Sequence, residues 1–258
     1  MTPPPARNAP ARRRHAERPM PGPGQRRDDS TAGRTANTPA ADRARRHTET
    51  KVWRTATELL ADPRVRLGAG AAGVLITAHA ARAGTVGRDE ARTFRAVNGL
   101  PDSLYPPLWL IMQFGALGAV PAVAGAARLA GERRLAARLL ADGTATWALA
   151  KLVKRNVQRP RPAMLLAGAR GRGRPPTGLG YLSGHAGVAA ALGAATLPHL
   201  SPAGRAATLG IMSAVALSRV YVGAHLPLDI AGGIALGIAV DAAVALPAGQ
   251  ADSRRHDQ

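Results

Sequence analysis

Residues 104–127 run for twenty-four positions without a charged side chain, and residues 186–204 add nineteen more. These runs constrain the fold before anything else does. A helix rises ~1.5 Å per residue, so about twenty residues cross the hydrocarbon of a bilayer. Both runs therefore predict membrane-spanning helices. Four other apolar stretches, roughly 67–87, 135–153, 206–224 and 227–248, are interrupted or bounded by Arg82, Arg138, Asp142, Arg219 and Asp241. They are rich in alanine, which is only weakly apolar. Hydropathy by itself leaves the count between two and six spans.

Ahead of these stretches, residues 1–51 carry eleven arginines and Lys51 against five acids, with eight prolines and almost no large apolar side chains. Such a segment buries too little surface to offset its chain entropy and is expected to be disordered. It has no apolar core of the kind a secretory signal requires. The whole chain of 258 residues has a net charge of +19, which on its own suggests an anionic membrane surface or nucleic acid. The chain has no cysteine, which excludes disulfides, thiolate metal sites and cysteine nucleophiles.

The chemistry is concentrated in three ordered blocks. The first is Lys154-Arg-Asn-Val-Gln-Arg-Pro-Arg161-Pro162, the second Leu182-Ser183-Gly184-His185, and the third runs from Ser218-Arg219 to His225 and Asp229. An arginine presents a planar fork that holds phosphate oxygens two at a time. A histidine nitrogen attacks phosphorus when its other nitrogen donates to a carboxylate that fixes the tautomer. Pro160 and Pro162 should end the preceding helix near Gln158. Lys154 would then lie on its last turn and Arg161 beyond it. Ser183 is a natural N-cap, so the helix after it opens with free N–H groups and a positive dipole end. Pro227 should open the last helix, leaving His225 just outside and Asp229 in its first turn. Taken singly, each residue also has an ordinary reading. His185 or His225 could cap a helix or lie at the surface, Asp229 could be an N-terminal helix charge, and Arg219 could snorkel to an interface.

In order, the blocks read K-x6-R-P, S-G-H and S-R-x5-H-x3-D. This resembles the signature of the type 2 phosphatidic acid phosphatase (PAP2) family, in its membrane-bound lipid-phosphate phosphatase branch. The blocks cover about 76 residues. One position departs from the family, where Leu182 stands in place of the proline usual before S-G-H. Proline donates nothing to phosphate, so the departure touches the stiffness of that turn and not the chemistry. The resemblance implies an all-α fold, a six-transmembrane-helix bundle in residues 52–248, with the disordered basic cytoplasmic tail 1–51 before it and a polar tail 249–258 after it. It implies His225 as the nucleophile that becomes phosphohistidine, Asp229 as the group orienting it, and His185 as general acid and then base. It makes Lys154, Arg161, Ser183, Gly184 and Arg219 the phosphate-binding residues, with no metal and no cofactor. The substrate class it implies is a lipid phosphate or an isoprenoid diphosphate presented by the bilayer.

With the basic tail kept inside by the positive-inside rule, a six-span topology brings all three blocks to the extracytoplasmic face of the cell membrane. One loop breaks the rule. Residues 151–174 hold Lys151, Lys154, Arg155, Arg159, Arg161, Arg170, Arg172 and Arg174 with no acid. Arg170, Arg172 and Arg174 read equally well as a solvated face and as headgroup contacts. His79 and His199 read as structural or interfacial. Asp142 and Asp241 are expected at one depth in the bundle, about 18 Å from the catalytic layer at ~1.5 Å per residue, with Arg138 neutralising at least one of them.

Two other functions fit the residues. A phosphotransferase would share the covalent intermediate and pass the phosphate to an acceptor other than water. A non-catalytic membrane protein would bind anionic partners, such as lipid headgroups, through its basic tail. No specific nucleic acid is expected.

Overall fold

The computed structural model describes residues 61–175 and 177–256. The basic tail assigned to residues 1–51 lies outside the described residues. The described part is all-α. Its helices are α1 (Pro63–Arg82), α2 (Arg88–Asn98), α3 (Tyr105–Met112), α4 (Ala119–Leu129), α5 (Arg133–Val157), the short α6 (Pro162–Leu165), α7 (Gly184–Thr196), α8 (Pro202–Tyr221) and α9 (Pro227–His256).

Local chemistry explains most of the boundaries. Asp62 caps α1 by accepting from the Arg64 N–H at 2.7 Å, with Pro63 at the first position. Ser183 caps α7 through the Ala186 N–H, and Ser201 caps α8 through the Gly204 N–H, again with proline following. Gln158 ends α5 in the left-handed conformation, at φ 54°, where the two following prolines required a stop.

α9 forms the axis of the bundle. It packs chiefly against α1 and α7, and α7 in turn against α5 and α8. Close approach is possible because the facing residues are small. A Cβ on Gly70 of α1 would stand 2.8 Å from the Ala235 carbonyl oxygen of α9, inside van der Waals contact. Side chains of Leu139, Val188, Val215, Leu226 and Phe94 fill the spaces between helices and are almost wholly buried.

Two expected spans come out differently. The uncharged run 104–127 is not one helix: α3 and α4 are bent by 69° across the break between them. Pro121 lies in the first turn of α4. A helix continuing through it would set its ring against the carbonyl four residues earlier, at Leu117. The run 186–204 also stops early, since α7 ends at Thr196 and a 3₁₀ turn follows over Leu197–His199. Pro198 and Pro202 lie where the helix would have continued. Among the described residues one helix segment, Pro227–Leu246, is long and apolar enough to cross a membrane, or two if the bent α3–α4 pair is one span.

Candidate active site

The ends of four helices meet at one end of the bundle. They are the last turns of α5 and α8 and the first turns of α7 and α9. Between them lies a cavity of roughly 340 Å³. Its lining includes Lys154, Arg161, Gly184, His185, Arg219 and His225, so the structure brings six of the eight expected residues to one space. Ser183 and Asp229 stand behind it, both fully buried.

His225 lies in the turn between α8 and α9, with its backbone N–H bonded to the Arg219 carbonyl at 3.2 Å. That bond ties the histidine to the arginine six residues earlier. Its Nδ1 faces Asp229 Oδ2 at 3.6 Å, somewhat too long for a hydrogen bond. Asp229 Oδ2 accepts instead from the Leu226 N–H at 2.9 Å. Burial first, and then the neighbouring Lys154, push the His225 imidazole down to about 3, against the pull of Asp229. His225 is therefore neutral near pH 7, the form that carries a free ring lone pair. With Nδ1 toward Asp229, Nε2 is left for chemistry.

The cations are held short of saturation. Lys154 Nζ donates to the carbonyls of Leu179 and Gly180, at 3.2 and 3.1 Å, using two of its three protons. Arg161 donates to the carbonyls of Gly178, Thr177 and Ala224, three bonds from five donors. Burial lowers its pKa, although not enough to threaten the charge of a guanidinium. Arg219 is the least occupied. It donates to the Met112 sulfur at 3.2 Å, and its buried Nε has no partner among the described residues. Leaving such a donor unpaired is costly unless an anion arrives. At the start of α7 the Ser183 Oγ accepts from Ala186 N–H at 3.3 Å, and the Gly187 N–H bonds to the Ser183 carbonyl. The N–H groups of Gly184 and His185 precede the first intrahelical bond and are open to an anion.

The arrangement supplies two imidazoles, four cationic side chains (Lys151, Lys154, Arg161 and Arg219) and a helix N-terminus around one cavity. It fits a tetrahedral phosphate with a nucleophile beside it. Among the described residues no group of histidines and carboxylates is spaced to hold a metal ion.

Other residues at the site have no motif position to mark them. Trp147 and Lys151 line the same cavity, with the Lys151 ammonium 3.5 Å above the Trp147 ring. Arg159 is buried against Asp229 at 2.9 Å. In sequence Arg159 was one more member of a basic run. Arg170 and Arg172, read there as solvated or headgroup-binding, are struts. Both bond Asp102, and Arg172 also bonds the carbonyls of Asn98, Leu100 and Tyr221 and stacks on the Tyr221 ring. His79 and His199 are exposed and lie outside the cavity.

Comparison with known proteins agrees with this geometry. Residues 135–249 match the PAP2 superfamily. Two solved structures share the fold. Aquifex aeolicus LpxE is 19% identical with a TM-score of 0.55, the match covering 59% of this chain and 92% of that one. The transmembrane PAP2-type phosphatidylglycerolphosphate phosphatase of Bacillus subtilis is 20% identical with a TM-score of 0.57, covering 72% of this chain and 96% of that one. No curated protein sequence matches the chain. The matched residues contain all three motif blocks, so the likeness to the PAP2 superfamily extends over all eight expected site residues.

Proposed function

We propose that this protein is an integral-membrane, metal-independent phosphatase that hydrolyses a lipid phosphate or isoprenoid diphosphate at the extracytoplasmic face. The observation that carries the reading is the meeting of Lys154, Arg161, Arg219, His185 and His225 around one cavity, with Asp229 buried behind His225.

In this reading the cations and the Gly184 N–H hold the equatorial oxygens, while Ser183 supports them as the cap of α7. His225 Nε2 attacks phosphorus in line, forming the P–N bond as the P–O bond to the lipid breaks. Burial and the Arg219 charge keep His185 neutral before substrate binds; the arriving phosphate anion favours its protonated form, and His185 gives that proton to the departing oxygen. It then takes a proton from water, which attacks the phosphohistidine and releases inorganic phosphate, restoring His225. Losing one preorganised donor of this kind costs about 3–4 kcal/mol of transition-state stabilisation. General acid–base help contributes ~10²–10⁴-fold.

Surface chemistry supports the membrane part. Leu75, Ile76, Leu110, Leu129, Leu152 and Leu217 are more than half exposed on helix faces, a distribution costly in water and ordinary against lipid. Six spans remain our reading, with the α3–α4 pair bent and α7 short. An apolar groove of roughly 550 Å³, lined by Leu110, Phe114, Ala119 and Val123 among others, shares Ala116 with the catalytic cavity. It suits a hydrocarbon tail whose phosphate lies among the cations. The Bacillus subtilis relative is a phosphatidylglycerolphosphate phosphatase, and its action on a lipid phosphate favours the same substrate class here.

The test is phosphate release by detergent-purified protein, with excess EDTA, across lipid phosphates, isoprenoid diphosphates and a soluble phosphomonoester. The reading expects release from at least one lipid substrate, undiminished by EDTA and blocked by vanadate. Activity lost to chelator and restored by Mg²⁺ would contradict it.

A further inference from the structure

Behind Asp229 lies a group of charges to which the motif blocks assign no role. Arg159 is fully buried, and its guanidinium bridges two carboxylates. Nη1 donates to Asp229 Oδ1 at 2.9 Å, and Nη1 and Nη2 donate to Glu90 Oε1 and Oε2 at 3.1 and 2.8 Å. Glu90 lies in the first turn of α2, and its Oε1 also accepts from the Leu228 N–H at 3.0 Å, one residue before Asp229. The chain of contacts runs from α2 through Arg159 to Asp229, and from there to His225.

We infer that Glu90 and Arg159 are positioning residues for the His225–Asp229 pair, through which α2 sets the reactivity of the nucleophile. The inference rests on the reading of His225 as nucleophile. Asp229 has two oxygens and two duties. Oδ2 faces the imidazole, at 3.6 Å, while Oδ1 is anchored by Arg159. Without that anchor the Leu226 N–H on Oδ2 is the one remaining bond to the carboxylate among the described residues; a single bond holds the soft terminal torsion less firmly, and the His225 tautomer loses part of its guide. Charge matters as well as geometry. A guanidinium bound to Asp229 alone would neutralise the carboxylate that must support a developing imidazolium. Glu90 takes up that positive charge through two bonds, so Asp229 keeps its strength as an acceptor. Arg159 and Asp229 are out of solvent and Glu90 is mostly so, which makes the balance sensitive to one charge.

This predicts how two substitutions differ. Glu90→Gln keeps the size of the side chain and an oxygen for Leu228 N–H but removes the charge. Arg159→Lys keeps the charge but replaces the planar fork by a point charge, which cannot reproduce the paired bonds to Glu90 together with the bond to Asp229. Each should slow phosphoenzyme formation by about tenfold to a hundredfold, the scale for a slightly misplaced catalytic group. KM should stay within twofold, since neither residue lines the phosphate cavity. Arg159→Gln should lose more, and Arg159→Lys should recover part of that loss.

The experiment is single-turnover trapping of phosphoenzyme with a radiolabelled lipid phosphate, using purified full chain, normalised to protein that retains the wild-type melting profile. A slowed first step at unchanged KM in Glu90→Gln supports the inference, and a double change of Glu90→Gln with Arg159→Lys that is non-additive strengthens it. Wild-type rates in a folded Glu90→Gln variant would overturn it while leaving His225 as nucleophile intact. Failure of the wild-type protein to form any phosphoenzyme would overturn the nucleophile reading and the inference together.

Discussion

A Cβ built on Gly184 would meet only the Ala150 Cβ, at 4.0 Å, whereas one on Gly187 would come within 3.1 Å of both the Gly233 carbonyl and the Thr146 methyl. The two glycines stand three residues apart on α7 and differ in why they are glycine. Gly187 lets α7 approach α9 and α5. Nothing in the packing calls for glycine at 184, so its smallness serves whatever approaches the open end of the helix. Gly184→Ala should therefore leave the melting temperature unchanged or slightly higher, since alanine is favoured over glycine in a helix by ~0.5–1 kcal/mol, yet cut turnover at least tenfold. Gly187→Ala should lower stability first. Equal activity in folded Gly184→Ala would show that phosphate does not reach that backbone. In sequence the two glycines of Ser183-Gly184-His185-Ala186-Gly187 look alike. Only the motif separated them. Arg159 had no such help, because the feature that distinguishes it from Arg155 is a half-buried carboxylate from α2, sixty-nine residues away in sequence.

Among the elements, α5 and α9 are joined by charge in the apolar interior. Asp241 pairs with Arg138 of α5 and, at 2.6 Å, with Arg66 of α1, while Arg138 Nε lies 3.6 Å from Asp142. Both aspartates are completely buried. The spacing of Arg138, Asp142 and Asp241 was legible, since residues four apart share a helix face and charges in apolar stretches are conspicuous. Arg66 was not, because an arginine in the first turn of a helix reads as an interface charge. Its presence makes the cluster a three-helix tie of two arginines and two aspartates rather than a two-helix clamp. Removing one partner from such a group strands the others, and costs of about 3–5 kcal/mol are typical. Asp241→Asn should lower thermal stability in detergent more than Asp142→Asn. Arg66→Gln combined with Asp241→Asn should cost less than the sum of the two. Additive losses would mean that the ion pairs do not act together.

At the scale of the whole molecule, the sequence indicated the helical class, the helix ends around the motifs and the convergence of three blocks on one side of the bundle. The continuity of the spans was less legible. A charge-free run such as 104–127 satisfies hydropathy whether or not it is straight, and the break is decided by Pro121 together with the close fit of Gly115 beneath the His185 carbonyl. The bend thus supports the N-terminus of α7 and opens the apolar groove that adjoins the cavity. α9 connects the remaining parts, carrying Asp229 at one end and Asp241 in its middle. If His225 is the nucleophile, this end of the bundle forms phosphohistidine at position 225. Brief mixing of the purified protein with radiolabelled lipid phosphate, quenching in alkali and mapping the labelled peptide measures it directly. The account predicts an alkali-stable, acid-labile label on the peptide containing His225, absent in His225→Ala and still formed in His185→Ala when the leaving group is a good one. Label that persists in His225→Ala, or that maps to His185, would contradict it.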